Sequence, residues 1–334
     1  MTLELLFRLL GLIAVIALGW VGVRRGWLEG AAGLRALGNA AFLIFVPALL
    51  FRTTARVDLA ALPWRLLLAY FGPVLGWMLA VWAWERRRLR RTCPGGVPLA
   101  RVAEPTARAI TLSFGNGVQM GLPFSAALFG EAGLRLHVAI VSVHALTLLS
   151  VLTVLVETDL AHATARDSGR PHSLLATLGS TVRQTVIHPV VRPVLAGLAW
   201  NLAGLPLPQV MDQTLQMVGQ AGVPLCLVLI GASLAQHGMG GQLGTALRLS
   251  ALKMLALPLL VLGVAHWGFG LDGLPLAVLV VAAALPTGSN ALLFAQRYRA
   301  RVVEASGTIV VSTMAFAAVV PLWLTVLKGF FGGF

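Results

Sequence analysis

Long uncharged runs are the feature that most constrains the fold of this chain. The runs cover residues 66–84, 109–130, 136–156, 213–247, 273–296 and 305–327. A helix needs roughly 20 residues, at about 1.5 Å each, to cross the hydrocarbon core of a bilayer, and these runs have that length. The composition agrees, because 58% apolar and 11% charged residues leave too little polar surface for a soluble globule of 334 residues. We therefore predict an integral membrane protein.

Polar breaks divide the apolar sequence into ten predicted spans. They lie near residues 5–23, 34–54, 64–84, 107–129, 135–156, 186–204, 212–236, 246–268, 274–296 and 304–327. The opening stretch contains Glu4 and Arg8 instead of the basic start of a secretory signal, which favours a retained first span. The predicted organisation is a first five-helix repeat over 1–157, a cytoplasmic linker over 158–182 and a second five-helix repeat over 183–334.

Arginines are concentrated in the odd-numbered loops of this arrangement and are sparse in the even-numbered ones. Because basic residues next to spans stay on the cytoplasmic side, we expect the odd loops to be cytoplasmic and both termini to lie outside. The net charge of +13 then reflects membrane topology. The run ERRRLRR at Glu85 to Arg91 is interpreted as an anchor of this kind, so the predicted partner is the lipid bilayer and not nucleic acid.

Two short patterns typical of soluble enzymes occur in the wrong context. Gly268, Gly270 and Gly273 match GxGxxG without a preceding strand, and Ser250 with Lys253 matches SxxK inside a span. Neither pattern predicts catalysis there. The two cysteines of the chain indicate no disulfide or metal site, and we predict neither an enzyme nor a cofactor.

Prolines inside the spans form a paired pattern. They are Pro47, Pro73 and Pro123 in spans two, three and four, and Pro224, Pro258 and Pro286 in spans seven, eight and nine. Two halves with an odd number of helices insert in opposite orientations, so the matching prolines favour an inverted repeat of the kind found in secondary transporters. The alternative is that each proline only kinks an ordinary helix.

Polar and small residues cluster around the prolines of spans four and nine. Span four reads SFGNGVQMGLP over 113–123, and span nine reads PTGSN over 286–290. Lipid cannot hydrogen-bond such residues, so clusters of this kind usually line a site. The candidate substrate-binding residues are Asn116, Gln119, Thr287, Ser289 and Asn290. The candidate helix-break residues are Gly121, Pro123, Pro286 and Gly288.

Each break is predicted to create a half-helix whose amino end, with its positive partial charge, points toward the membrane midplane. Two such ends favour an anion, and the amides of Asn116 and Asn290 add hydrogen bonds that orient it without adding charge. The alternative is that these amides and glycines only satisfy the broken backbone or permit close helix packing. The residues alone leave both interpretations open.

Ionisable groups inside the spans are few, and no acidic residue falls well inside one. This argues against an antiporter that uses a carboxylate at the midplane to bind a proton or sodium. His144 is a possible proton carrier, with a hydrogen-bonded packing histidine as the alternative. Arg192 and Lys253 are expected to extend back to the cytoplasmic surface, with attraction of an anion as the second possibility.

Four stretches resemble the auxin efflux carrier family. They are GN-x-x-x-x-GLP at 115–123, FVPALLFR at 45–52, GVPLCLVLIGASLA at 222–235 and ALPTGSNALLFAQRY at 284–298. Their order and spacing cover nearly the whole chain, which identifies it as a member of that family within the superfamily resembling bile acid, arsenite and riboflavin transporters. The short loop after Glu157 suggests a bacterial-type member of the inner membrane.

The resemblance implies an all-α polytopic membrane protein with ten transmembrane helices in two inverted five-helix repeats. It implies that helices four and nine are broken and cross near the midplane, with Pro123 and Pro286 at the crossover and Asn116 and Asn290 contacting substrate. It also implies an elevator-type cycle and a homodimer formed by the scaffold helices. The implied substrates are small organic anions, either an auxin-like monocarboxylate or a malate- or malonate-like dicarboxylate.

Other functions remain open at the level of the sequence. They are a sodium-coupled symporter of the bile-acid type, or a ligand-binding membrane sensor or channel. A membrane-embedded enzyme is disfavoured because the candidate site offers amides and hydroxyls without a base, nucleophile or metal set.

Overall fold

A computed structural model describes residues 3–28, 30–56, 63–168, 191–237 and 243–331. The described part is all helical, with a single isolated bridge and no β-strand, which confirms the predicted class. Its α-helices are α1 Leu3–Arg24, α2 Gly30–Ala40, α3 Val46–Ala55, α4 Trp64–Thr92, α5 Glu104–Ser113, α6 Leu122–Ser168, α7 Val191–Leu202, α8 Gln209–His237, α9 Leu243–Ala251, α10 Leu257–Gly263, α11 Gly273–Ala284, α12 Ser289–Arg297 and α13 Val302–Phe331.

Three of the prolines singled out in the sequence follow a π-helical turn. The turns Ala41–Phe45, Gly117–Gly121 and Leu252–Ala256 each end two residues before a proline, at Pro47, Pro123 and Pro258. Proline has no N–H and its ring displaces the carbonyl of the preceding turn, and one wider turn accommodates both effects. At these positions the helix therefore widens before the proline.

Five helices in the described residues are long and apolar enough to cross a membrane. They are Ala32–Arg52, Trp64–Thr92, Leu128–Arg166, Leu243–Gly268 and Val302–Gly329. Helix α11, Gly273–Ala284, is apolar but shorter. A multi-pass membrane protein is thus supported, whereas the count of ten spans in two inverted repeats stays a prediction.

Helix α6 changes direction at Gly130, where φ is 61° and ψ is −160°. Only glycine adopts this backbone region readily, so the long helix is in effect two helices that meet at this residue. The turn falls between the predicted fourth and fifth spans. The helix then continues to Ser168, into the predicted linker, and the remainder of that linker lies outside the described residues.

Helix α11 occupies the centre of the protein. The nine residues from Leu276 to Ala284 are all at most 2% exposed, and the helix packs against α6, α10 and α13. A helix that is apolar on every face suits a position surrounded by other helices. The end of α11 therefore brings the unwound residues 285–288 into the protein interior.

Candidate functional site

The first break in the helical structure separates α5 from α6. Helix α5 ends at Ser113, Phe114 is extended with φ −81° and ψ 109°, and the π-helical turn Gly117–Gly121 leads into α6. The carbonyl of Asn116 accepts hydrogen bonds from the N–H groups of Met120 and Gly121, at 3.3 and 3.1 Å. The unwound residues are thus 114–116, upstream of Pro123.

The second break separates α11 from α12. Leu285 has φ −55° and ψ 147°, the extended conformation favoured before a proline. Gly288 is also extended, with φ −78° and ψ 155°, and Ser289 begins α12. Here the proline of the motif, Pro286, lies inside the unwound segment.

The two unwound segments cross and pair with each other through their backbones. Gly115 and Thr287 form an antiparallel bridge. The N–H of Asn116 donates to the carbonyl of Pro286 at 2.8 Å, and the N–H of Gly288 donates to the carbonyl of Phe114 at 2.8 Å. Unwound backbone is tolerated inside a membrane protein where protein groups satisfy its donors and acceptors, and this pairing does so.

Both candidate asparagines lie at the amino end of the helical segment that follows a break. Asn116 immediately precedes the π-helical turn, and Asn290 is the second residue of α12. The two residues, and Ser289 beside Asn290, are half-buried. The amino end of a helix carries positive partial charge, and two such ends converge on the crossing. The side chain of Gln119 lies outside the described part.

Thr287 holds the second break in place. Thr287 is fully buried. Its hydroxyl donates to the carbonyl of Thr111 at 2.9 Å, and its N–H donates to the hydroxyl oxygen of Ser312 at 3.1 Å. These bonds join α5, the second break and α13. The observed contacts of Thr287 are therefore internal, and its predicted contact with substrate stays a prediction.

Lys253 is buried at the crossing, contrary to the expectation that it extends back to the membrane surface. It is 1% exposed, and its ammonium donates to the carbonyls of Ala283 at 2.7 Å and Leu285 at 3.1 Å. The break in α11 leaves these carbonyls without helical partners, so the lysine finds acceptors inside the protein. The second anticipated cation, Arg192, is exposed on α7.

Two histidines of α6 pack against the first break. His144 lies edge-on to the ring of Phe114 with centroids 4.7 Å apart, and both of its ring nitrogens lack a hydrogen-bond partner among the described residues. His137, which the sequence did not suggest, places Nε2 2.9 Å from the carbonyl oxygen of Gly117. The seven-residue spacing of the pair, about two helical turns, is the signal that could have indicated a shared face.

Gly121 explains how His137 approaches the backbone so closely. A Cβ at this position would lie 2.2 Å from His137 Nε2 and 2.8 Å from a methyl carbon of Leu285. Gly121, predicted to break the helix, is in the structure the last residue of the π-helical turn. Its lack of a side chain permits the contact with His137.

Carboxylates are gathered in an ion-pair cluster away from the crossing. Arg108 of α5 donates to Glu85 of α4 at 2.6 Å and to Glu304 of α13 at 2.8 Å. Arg301 donates to Glu304 at 2.9 Å and to Glu104 at 2.8 Å. The cluster ties the starts of α5 and α13 to α4, and its acidic groups are paired with arginines.

Glu104 shows the electrostatic effect of this cluster. Burial by itself would raise its pKa, but hydrogen bonds and charge from Arg101 and Arg301 hold the pKa of this carboxyl below its usual value. The cluster therefore keeps Glu104 ionised.

A cavity of about 590 Å³ connects the region of this cluster with the last turn of α5. Its lining includes Glu85, Arg108, Trp77, Leu112 and Leu252. Leu252 is adjacent to Lys253, and Leu112 lies two residues before the first unwound segment. The cavity thus extends from the cluster to the end of the helix that leads into the first break.

Comparisons with known proteins agree with this architecture. The sequence profile of a family described as membrane transport protein matches residues 5–324. The chain is 25% identical to an uncharacterized transporter of Methanothermobacter thermautotrophicus over 95% of its length and 97% of that protein. It is 24% identical to the uncharacterized transporter YfdV of Escherichia coli K12 over 96% of both chains.

Proposed function

This chain belongs to the membrane transport protein family, that of the auxin efflux carriers, and we propose that it carries a small organic anion across the membrane. Family membership makes it a transporter and not an enzyme. The proposed substrate is a carboxylate, either an auxin-like monocarboxylate or a dicarboxylate of the malate or malonate kind. The proposed mechanism is an elevator-type alternating-access cycle at the crossing of the two broken helices.

The observation that carries the proposal is the chemistry of the crossing. Two helix amino ends meet there, each with a half-buried asparagine, and the Lys253 amino group donates to a carbonyl at the end of α11. Neither unwound segment contains an acidic residue. Helix amino ends, amides and an ammonium all favour a negatively charged ligand, and a carboxylate suits donors fixed in two directions.

We further propose that the protein works as a homodimer in a bacterial inner membrane with both termini outside. The basic residues of the odd-numbered loops support this orientation. Homodimerisation, and a fixed scaffold formed by predicted spans one, two, six and seven, rest on the resemblance to the auxin efflux carriers.

The most direct test is ligand-dependent thermal stability of the purified protein. A panel of monocarboxylates and dicarboxylates, including an indole acid, malate and malonate, is compared with the corresponding amides and alcohols. We expect saturable stabilisation by at least one carboxylate and none by its neutral analogue, because binding to the folded state raises stability by mass action. Equal stabilisation by the neutral analogues would contradict an anion site.

The stabilising carboxylate is then used as the substrate for uptake into proteoliposomes. Asn116→Ala and Asn290→Ala should each reduce uptake about tenfold or more, since each removes hydrogen bonds to a charged ligand. Thermal stability without ligand should change little. A matched control is Asn201→Ala, which removes a half-buried amide that donates to the carbonyl of Ala55 at 2.9 Å in the α3–α7 pair. Wild-type uptake in both site variants would refute the site assignment.

A further inference from the structure

Lys253 lies in the π-helical turn Leu252–Ala256. A wider turn rotates the side chains relative to a regular α-helix, and here the lysine points into the protein. The neighbouring carbonyl of Met254 accepts a hydrogen bond from the indole N–H of Trp323 at 2.9 Å, which fixes this turn to α13. The backbone that carries Lys253 is thus anchored to α13.

The ammonium of Lys253 lies against both breaks. It donates to two carbonyls at the end of α11, and a Cβ built on Gly115 of the first break would lie 3.8 Å from Nζ. Among the described residues, Lys253 forms no ion pair, and its hydrogen-bond partners are carbonyl oxygens. Burying an unpaired ammonium is costly, so these carbonyls and the negative end of the α11 dipole must stabilise it.

A group of carbonyl oxygens at the carboxyl end of a half-helix is the environment in which secondary transporters bind sodium. Sodium and an ammonium group carry the same charge and both interact favourably with carbonyl oxygens. In this protein the carbonyls of Ala283 and Leu285 are already occupied by Lys253. A sodium ion at the same carbonyls would have to bind beside the ammonium, and repulsion between the two cations opposes this.

We propose that Lys253 is a built-in cation that takes the place of a coupling sodium ion at the crossing, so that the protein works without sodium. This inference rests on the proposed anion transport, which it deepens by assigning the cation that accompanies the substrate. The same ammonium stabilises the crossing and offsets the charge of a bound carboxylate. Sodium-coupled symport is then the competing outcome of the test.

The first measurement needs no substrate. Thermal stability of the purified protein is compared in sodium chloride and in N-methyl-D-glucamine chloride at equal ionic strength. The wild-type protein should show no stabilisation specific to sodium. Lys253→Ala should be less stable in N-methyl-D-glucamine and should be stabilised saturably by sodium or methylammonium ions, because the substitution frees both carbonyls and the space of the side chain.

Two matched variants separate the loss of charge from the loss of space. Lys253→Met also removes the charge but fills the space, so it should be destabilised without rescue by either ion. Lys328→Ala removes a lysine that is exposed near the end of α13 and should behave as the wild type. Sodium-specific stabilisation of the wild-type protein, or a Lys253→Ala protein as stable as wild type and indifferent to sodium, would overturn the proposal.

Uptake of the stabilising carboxylate gives the second measurement. Wild-type uptake should be equal in the two salts, and Lys253→Ala should lose about tenfold or more in N-methyl-D-glucamine and recover in sodium. If no carboxylate is bound or carried, the proposed function fails, whereas the salt dependence of stability still tests the built-in cation. If neither Lys253 variant can be purified, the wild-type comparison decides, since a sodium requirement would refute the inference.

Discussion

The two breaks have the same backbone pairing but different ends on the helices that lead into them. The end of α5 is capped by neutral donors, because the indole N–H of Trp77 donates to Leu112 at 3.1 Å and Thr287 donates to Thr111 at 2.9 Å. The end of α11 is capped by the ammonium of Lys253. The helix that leads into the second break thus has a cationic cap, whereas the helix that leads into the first break has neutral caps.

The comparison teaches that the crossing has two separable requirements. The first is satisfaction of the unwound backbone, which neutral and charged donors both provide. The second is electrostatic, and of the caps described here only the cationic one, at the end of α11, supplies it. Removing a cap at either break should therefore lower stability, but only removal of the Lys253 cap should make stability depend on the cation present.

The largest expected effect distinguishes the two glycines of the crossing. A Cβ on Gly288 would lie 3.0 Å from the carbonyl oxygen of Gly115, whereas a Cβ on Gly115 would meet its nearest neighbours at 3.5 Å. We expect Gly288→Ala to lower the free energy of unfolding by about 2–3 kcal/mol, because backbone cannot yield as a side chain can. Unfolding in mixed detergent micelles measures the change.

Gly115→Ala is the matched control for that variant. The added methyl group would make ordinary contacts with Ala282 and Leu285, so we expect a loss below about 1 kcal/mol. Equal destabilisation by the two substitutions would show that the crossing is not packed more tightly at the second break.

An intermediate effect is expected at the bond that joins the two breaks. Thr287→Val keeps the side-chain shape but removes the donor to Thr111, leaving a buried acceptor unsatisfied, and should cost about 1–2 kcal/mol. Thr308→Val is the control, because this equally buried hydroxyl donates to the carbonyl of Glu304 in its own helix. If the two variants unfold alike, the bond between Thr287 and Thr111 does not stabilise the crossing.

The smallest effect is expected at the neutral cap. Trp77→Phe removes the indole N–H that donates to Leu112 and should cost about 1 kcal/mol. Its thermal stability should be the same in sodium and N-methyl-D-glucamine salts, in contrast to Lys253→Ala. A sodium-specific rescue of Trp77→Phe would remove the distinction between the two caps.

Much of the helical framework follows from the uncharged runs. Predicted span 64–84 corresponds to α4, Trp64–Thr92, which continues through the arginine-rich run, and predicted span 304–327 corresponds to α13, Val302–Phe331. Charge and hydropathy mark where lipid ends, but a helix continues wherever its backbone hydrogen bonds do. The ends of the helices are therefore less predictable than their centres.

The location of the breaks was partly predictable. Prolines, glycines and amides together indicated interruptions in spans four and nine, and both spans contain an unwound segment. The sequence placed the first interruption at Pro123, whereas the unwound residues are 114–116. Their position depends on pairing with residues 286–288, a contact between distant parts of the chain that local preferences do not encode.

The prediction that Lys253 extends to the membrane surface was wrong for a related reason. Its acceptors lie 30 and 32 residues further along the chain and become available only because α11 ends there. A lysine within reach of the membrane surface is normally expected to extend toward it. His137 escaped notice in the same way, since its acceptor is the carbonyl of Gly117 in the first break.

The backbone pairing of residues 114–116 with 286–288 also has an evolutionary consequence. The two hydrogen bonds that hold the segments together use N–H and carbonyl groups only. Substituting the side chain of Asn116 or Ser289 removes neither bond, so selection can vary the residues proposed to contact substrate without disrupting the crossing. Descendants of one ancestral crossing are thus free to diverge in the solute they recognise.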